Sequence, residues 1–162
     1  MKAKYFLKKG VTFIALLATI VIMIILATTI IVSSKDIISN TNRKEFAKEI
    51  YAVQKQVEKY KFSNSKYPVK DTQIEFTISN LYAEQFSGES ITDSKVILKE
   101  IDLTKADIET LKHGKKANNE AYDVYAVSET TGKVYYLKGY SYKSTVYYTL
   151  TSELLKTINM SK

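Results

Sequence analysis

The chain has 162 residues, with 24 Lys and Arg against 17 Asp and Glu, no Cys and one His. This length suits one globular domain plus an accessory element. The lack of Cys excludes a disulfide framework, a thiol nucleophile and a Cys-based zinc site. With His113 as the sole His, little room is left for general-base chemistry or a His-rich metal site. Four of the seven net positive charges precede Gly10, so a chain without this leader would keep only +3. The basic excess therefore predicts targeting more than nucleic-acid binding.

A long uncharged segment follows the basic leader. Val11–Val32 contains no charged residue, and threonines are its polar members. As a helix rising about 1.5 Å per residue it would extend roughly 33 Å, enough to cross the hydrocarbon core of a bilayer. The lysines before it predict a cytoplasmic N-terminus, with the chain from Asp36 onward outside.

Three interpretations of this segment compete. A cleaved secretory signal has an apolar region of about 7–15 residues, which is shorter than this run. An uncleaved signal anchor is the plainest alternative. The third interpretation depends on the finer pattern between Lys8 and Leu17.

That pattern, KKGVTFIALL, resembles the prepilin leader of the type IV pilin and pseudopilin superfamily. Family members have a basic leader ending in Gly, followed by a long apolar helix. A membrane-embedded prepilin peptidase cuts after that Gly, and the new N-terminal residue is methylated. The resemblance covers Lys8 to Val32 closely, and it implies that Gly10 precedes the cut and that Val11 becomes the mature N-terminus. It further implies packing against other pilin subunits through the Val11–Val32 helix.

The sequence departs from the family at two positions. Val11 replaces the usual Phe, which is a mild change. Ala15 stands where the family nearly always has Glu, a residue thought to face the free N-terminal amine of a neighbouring subunit. Family members without this Glu are mostly minor, tip-located pseudopilins. Ala15 therefore favours a minor or initiating subunit over a major one.

An amphipathic stem is predicted after the apolar segment. Apolar residues recur at alternating spacings of four and three residues, which places them on one helical stripe: Phe46, Ile50, Val53, Val57 and Tyr60. No Pro or Gly interrupts Val11–Phe62, so one helix of about 50 residues is expected. A coiled coil would need three or four sustained heptads, and the stripe offers barely two.

The helix is expected to end at Ser63-Asn64-Ser65, ahead of Tyr67 and Pro68. A Tyr-Pro pair in this place is similar to the helix end of many pseudopilins. The same residues also fit any helix that stops before a Pro.

The remaining chain predicts an α+β head. Strands are expected at Gln73–Ser79, Ser94–Ile101, Tyr122–Val127, Lys133–Leu137 and Ser144–Thr149. The last three would form an antiparallel meander, with a hairpin loop at Ser128–Gly132 and a chain break at Gly139. Helical turns are expected at Leu81–Phe86, from an N-cap at Thr104 to about Lys112, and at Ser152–Ile158. One sheet face should pack on the stem.

Two features of the head are candidates for binding. Adjacent tyrosines, Tyr135-Tyr136 and Tyr147-Tyr148, should place one ring on each sheet face, which favours some exposed rings. β-Propensity explains the same residues without a binding role. The basic run Lys112–Lys116 could contact DNA phosphates, although such runs are usually solvated loops. Tyr140 and Tyr142, near Lys138 and Lys143, form a second basic–aromatic group that could serve the same partner.

No catalytic motif, phosphate loop, calcium loop or zinc-protease motif is present, so the sequence predicts neither an enzyme nor a metal, cofactor or small-molecule substrate. The favoured function is a structural subunit, minor or initiating, of a type IV pilus, secretion or competence filament, held in the cytoplasmic membrane with its head outside. The alternative is a signal-anchored extracytoplasmic binding domain that does not polymerise. The predicted organisation is a leader at 1–10, a transmembrane helix at 11–33, a stem helix at 34–62 and a head at 63–162.

Overall fold

The computed structural model describes residues 3–115 and 122–159. Within the first helix, the side chains of residues 3–12, 14 and 25–36 lie outside the description. The chain contains two compact units, Met1–Thr41 and Asn42–Lys162. The elements in chain order are helix α1 (Ala3–Asn64), strand β1 (Val69–Thr77), a 3-10 segment (Asn80–Phe86), β2 (Ile91–Thr92), β3 (Lys95–Ile101), β4 (Tyr125–Val127), β5 (Val134–Tyr142), β6 (Thr145–Thr149) and helix α2 (Ser152–Asn159).

The second unit is built on one antiparallel sheet. Among the described residues its strand order is β1-β3-β4-β5-β6, with the short β2 paired to β3. The predicted α+β class and the meander of the last three strands are therefore confirmed. The hairpin between β4 and β5 closes through bonds from the Ser128 amide to the Lys133 carbonyl (3.0 Å) and from the Gly132 amide to the Ser128 carbonyl (2.8 Å).

The stem stripe packs on one face of this sheet. Phe46, Ile50, Val53 and Val57 are fully buried in a core cluster that they share with residues of β4 and β5. Burial of each such side chain stabilises the fold by roughly 1.5–3 kcal/mol. Tyr60, the last residue of the predicted stripe, is half-buried. The helical periodicity thus identified the buried face correctly.

Alternate residues of the central strands form a second core on the opposite face of the sheet. Tyr125 and Val127 face the stem, whereas Val124 and Ala126 join the other cluster with Phe86. Successive side chains of a strand point to opposite faces, so a strand with two covered faces is buried throughout. The 3-10 segment Asn80–Phe86, expected as a helical turn, supplies the cover for this second face.

The predicted helix from Thr104 to Lys112 is wrong. Residues 103–107 form turns, and no helix is present between 102 and 115. The capping residue lies two positions earlier than expected, because Asp102 Oδ1 accepts the Lys105 amide at 3.2 Å. Asp107 then adopts a φ of 57°, a left-handed conformation that ends any helical path.

The predicted chain break at Gly139 is also wrong. Strand β5 continues through Gly139, and the register with β6 shifts between Tyr135 and Tyr140. Gly139 has a φ of 74°, and a Cβ there would lie 2.5 Å from Val146 and 2.9 Å from the Tyr148 ring. Because Gly tolerates this conformation and leaves that space open, it forms a bulge rather than a strand end.

Candidate functional site

The Tyr-Pro pair joins the end of α1 to the sheet. Ser65 takes a φ of 57°, and its amide donates to the Lys61 carbonyl at 2.8 Å, which caps the helix where many helices use Gly. The Lys61 ammonium lies 4.2 Å from the centre of the Tyr67 ring. Pro68 is buried, and its carbonyl accepts the Asp102 amide at 2.8 Å. Both predicted motif residues therefore hold the helix end on the sheet.

The predicted processing residues are placed only in part. Gly10 and Val11 are within the helical backbone of α1, and the Val11 side chain lies outside the described part of the structure. Ala15 is described, and its side chain is exposed. The peptidase site predicted at Gly10–Val11 stays a prediction.

Apart from Thr19, the described side chains near the start of α1 are apolar, and they are exposed in this single chain. Large apolar residues between Phe13 and Ile24 have exposed fractions from 45% to 70%. They are Phe13, Leu16, Leu17, Ile20, Val21, Ile22, Met23 and Ile24. Over the residues with described side chains, no helix combines the length and the apolar character needed to cross a membrane. The predicted span Val11–Val32 extends beyond those residues and stays a prediction.

The basic run Lys112–Lys116 is tied to the stem. The Lys112 ammonium pairs with Glu45, and the Lys112 amide donates to Oε2 of Glu49 at 3.0 Å. His113 donates its amide to Oε1 of Glu49 at 3.0 Å, and its ring Nδ1 lies 3.2 Å from the same oxygen. Lys115 is exposed, and Lys116 lies outside the described residues. Two side chains of the predicted DNA-contacting run, Lys112 and His113, are thus engaged with carboxylates of the stem.

Glu49 is the centre of this network, and sequence reasoning missed it. Besides the two amides, Glu49 accepts the Tyr125 hydroxyl at 2.8 Å. Burial raises the pKa of the Glu49 carboxyl, but the bonds from His113, the Lys112 amide and Tyr125 outweigh it, so the pKa lies below its ordinary value. Burial, and then the charge of Glu49, raise the pKa of Tyr125 well above its usual range. An ionised Glu49 therefore fixes the 112–114 loop to the stem.

Two further carboxylates hold hydroxyl groups of the hairpin region. Glu89 accepts the Ser128 hydroxyl at 2.5 Å and the Tyr135 hydroxyl at 2.7 Å. Asp123, which is 5% exposed, accepts the Gly114 amide at 2.8 Å and the Tyr136 hydroxyl at 2.7 Å. These acids stabilise loops through charge-assisted hydrogen bonds. In the described ranges, no group of three or more His, Asp or Glu side chains is placed to hold a metal ion.

The tyrosine pairs divide between the two faces as expected, but the predicted exposure is wrong for the first pair. Tyr136 faces the stem and Tyr135 faces the second core, and they are 3% and 0% exposed. Phe86 stacks on Tyr135 with ring centres 4.8 Å apart. Tyr147 is 3% exposed and Tyr148 is half-buried. The 3-10 segment covers a face that the sequence pattern left open to solvent.

The second predicted basic–aromatic group also uses its rings internally. Tyr140 stacks on Phe46, with ring centres 4.5 Å apart and an interplanar angle of 11°. Tyr142 is 8% exposed and lies beneath the guanidinium of Arg43. The Tyr142 ring therefore presents no open face on which a nucleic-acid base could stack, and one face of the Tyr140 ring is already occupied by Phe46.

A groove opens beside the end of α1. Its volume is about 920 Å³, and its lining includes Phe62, Tyr67 and Lys133. Phe62 is 92% exposed, the highest value among the described large apolar residues. Gln54 at the groove wall is bound on both sides, since it donates to the Gly132 carbonyl (3.0 Å) and accepts the Val134 amide (2.8 Å). The groove therefore has a hydrogen-bonded Gln54 side chain in its wall and the exposed Phe62 ring at its rim.

No protein-family model, curated protein or solved structure matches this chain.

Proposed function

We propose that this chain is a structural subunit, minor or initiating, of a type IV pilin-like filament. The observation that carries the proposal is the contrast between two sets of large apolar side chains of α1: those at Phe13–Ile24 are exposed, and those of the stripe Phe46–Val57 are buried. An element of this kind can bind like subunits with one part and carry a folded head with the other.

The head supports this interpretation through the way it is attached. The Phe46–Val57 stripe is part of the main core, and the carboxylate of Glu49 bonds to the loop at 112–114. A subunit drawn from the membrane by its helix must keep its head attached under load. Core packing together with charge-assisted hydrogen bonds provides that attachment.

The place of the subunit in the filament follows from Ala15. A buried charge in hydrocarbon is costly without a partner. With Ala at this position, the chain provides no carboxylate for the amine of a neighbouring Val11. A minor or initiating subunit, which need not repeat that contact along the filament, fits this substitution. The competence, secretion and pilus machines remain alternatives within this function.

Mass spectrometry of the native N-terminus tests the proposal. The full chain is expressed with an active prepilin peptidase and, separately, with a peptidase lacking its catalytic aspartates. We expect a chain that starts at methylated Val11 in the first case and at Met1 in the second. A Gly10→Leu variant should remain uncut, whereas Gly88→Leu, at a Gly of the head where a Cβ would meet no atom closer than 3.6 Å, should still be cut.

A chain that starts at Met1 beside an active peptidase would contradict the proposal. It would instead support the signal-anchored binding domain that does not polymerise. Deletion strains then separate the machines, because a loss of transformation without a loss of secretion assigns the subunit to competence.

A further inference from the structure

Cationic side chains gather around Tyr142 at one end of the head. The Arg43 guanidinium lies 4.5 Å from the centre of the Tyr142 ring, and the Lys143 ammonium lies 5.5 Å from it. Lys143 is in the turn between β5 and β6, where its φ of 52° makes a tight reversal. Both cations cover a ring that is 8% exposed. The Tyr142 ring therefore positions the two charges and is not itself accessible to a ligand.

Helix α2 adds to the same end. Arg43 forms an ion pair with Glu153 at 3.1 Å, and Glu153 also accepts the Tyr147 hydroxyl at 2.7 Å. Lys156 is exposed one turn further along α2. We call Arg43, Lys143 and Lys156 the basal patch. Glu153 neutralises one of its three charges, and the nearby Glu45 is paired with Lys112.

The basal patch lies close in sequence to the predicted span. Arg43 is the second residue of the compact unit 42–162 and comes eleven residues after Val32. Even fully extended, a segment of eleven residues spans no more than about 40 Å, so the patch is tethered within that distance of the predicted span.

We propose that the basal patch docks on anionic phospholipid headgroups of the outer leaflet while the subunit waits in the membrane. The inference rests on the proposed function only for the membrane anchor, which a signal-anchored protein would share. Each Lys or Arg held near an anionic surface raises the binding constant for that surface by about fivefold. Docking would restrain the head at the bilayer until assembly removes the subunit.

The observations favour lipid over nucleic acid. A single-stranded nucleic acid would use aromatic rings as stacking platforms. Tyr142, the ring within the patch, is 8% exposed and covered by Arg43. The patch therefore offers positive charge without an open ring at its centre, which matches a plane of phosphate headgroups.

Because the chain has no Cys, one engineered thiol can report on this contact. The full chain with Ser144→Cys, an exposed position beside Lys143, is labelled with a fluorophore and reconstituted in nanodiscs. Headgroup spin-labelled lipid then quenches the fluorophore according to its distance from the surface. We expect at least severalfold stronger quenching in bilayers with phosphatidylglycerol than in pure phosphatidylcholine, and a decrease with added salt.

Charge reversal distinguishes the patch from a general attraction. Lys143→Glu with Lys156→Glu should abolish the difference between the two lipids. The matched control, Lys59→Glu with Lys66→Glu, makes the same change in net charge at two exposed positions, one in the last turns of α1 and one just after it, and should preserve the difference. Equal quenching in both lipids, or an effect unchanged by the first pair, would overturn the inference.

Two other results are informative. A duplex oligonucleotide retained on phosphatidylcholine nanodiscs, and released by the same charge reversal, would assign the patch to nucleic acid and overturn the lipid proposal. A chain that inserts in neither bilayer would refute the membrane anchor and the docking together. A chain that inserts and is processed at Val11, but shows no lipid dependence, would refute the docking alone.

Discussion

The Tyr125 hydroxyl donates a 2.8 Å hydrogen bond to Oε1 of Glu49, and so connects the central strand β4 to helix α1 across the core. The strand packs on the helix through apolar contacts, and this polar bond lies among them. The same oxygen also accepts the amide of His113. A single carboxylate therefore holds the strand, the helix and the 112–114 loop together.

Removal of the Tyr125 hydroxyl should weaken this connection. We expect Tyr125→Phe to lower the free energy of unfolding by about 1–2 kcal/mol, because a hydrogen bond to an ionised group is lost while the ring remains. This free energy is measured by denaturant unfolding of the full chain in detergent, with near-ultraviolet circular dichroism as the signal. Tyr122→Phe is the matched control, since Tyr122 is 51% exposed and should change stability little.

Acid should release the same network. The pKa of Glu49 in the folded chain lies below its ordinary value of 4.5, so its contribution is complete above that pH and is lost as the pH falls through the folded-state value. The stability difference between the wild type and Glu49→Gln should be constant near neutral pH and should narrow below about pH 4.5. Unfolding curves at a series of pH values test this, and a difference that grows in acid would contradict it.

Gly114 should not tolerate a side chain. It has a φ of 76°, and a Cβ there would lie 2.4 Å from the ring of Tyr125. Gly88 has a φ of 90°, but its nearest atom would be 3.6 Å away. Both Ala variants should lower the free energy of unfolding, because a positive φ is unfavourable for Ala. Gly114→Ala should lower it by about 1–3 kcal/mol more than Gly88→Ala does, because its Cβ overlaps the Tyr125 ring. Equal losses in the two unfolding experiments would show that the ring moves aside freely.

Phe62 should contribute to assembly rather than to stability. It is 92% exposed at the rim of the groove, so Phe62→Ser should change the free energy of unfolding by no more than about 0.5 kcal/mol. If the groove rim contacts a neighbouring subunit, the variant should lower crosslinking between subunits in filaments. Leu81→Ser removes a side chain that is 84% exposed and outside the groove lining, and it should leave crosslinking unchanged.

Periodicity predicted the architecture well because it reports burial directly. The spacing of Phe46, Ile50, Val53 and Val57 identified the buried face of α1, and alternation identified β1, β3 and the meander. The helix expected from Thr104 failed for a local reason, since Asp102 captures the Lys105 amide and Asp107 turns the chain. Gly139 was interpreted as a break because sequence does not distinguish a bulge from a strand end.

The candidate sites were less accessible to sequence reasoning. Glu49, Glu89 and Asp123 are separated from their hydroxyl partners by between 13 and 76 residues. No local pattern links such groups. The basal patch likewise joins Arg43 to Lys143, which only the packing of β5 and β6 beside α1 brings together.

The sequence by itself determined the basic leader, the uncharged run from Val11 to Val32 and the resemblance to a prepilin at Gly10–Val11, because these depend on the order of residues along one segment. It also determined that Ala15 supplies no carboxylate. Only the tertiary structure decided that Tyr135 is buried, that the Lys112 loop is fixed to Glu49 and that cations surround Tyr142. The physical reason is that these properties depend on contacts between distant segments, which form when both faces of the sheet are covered.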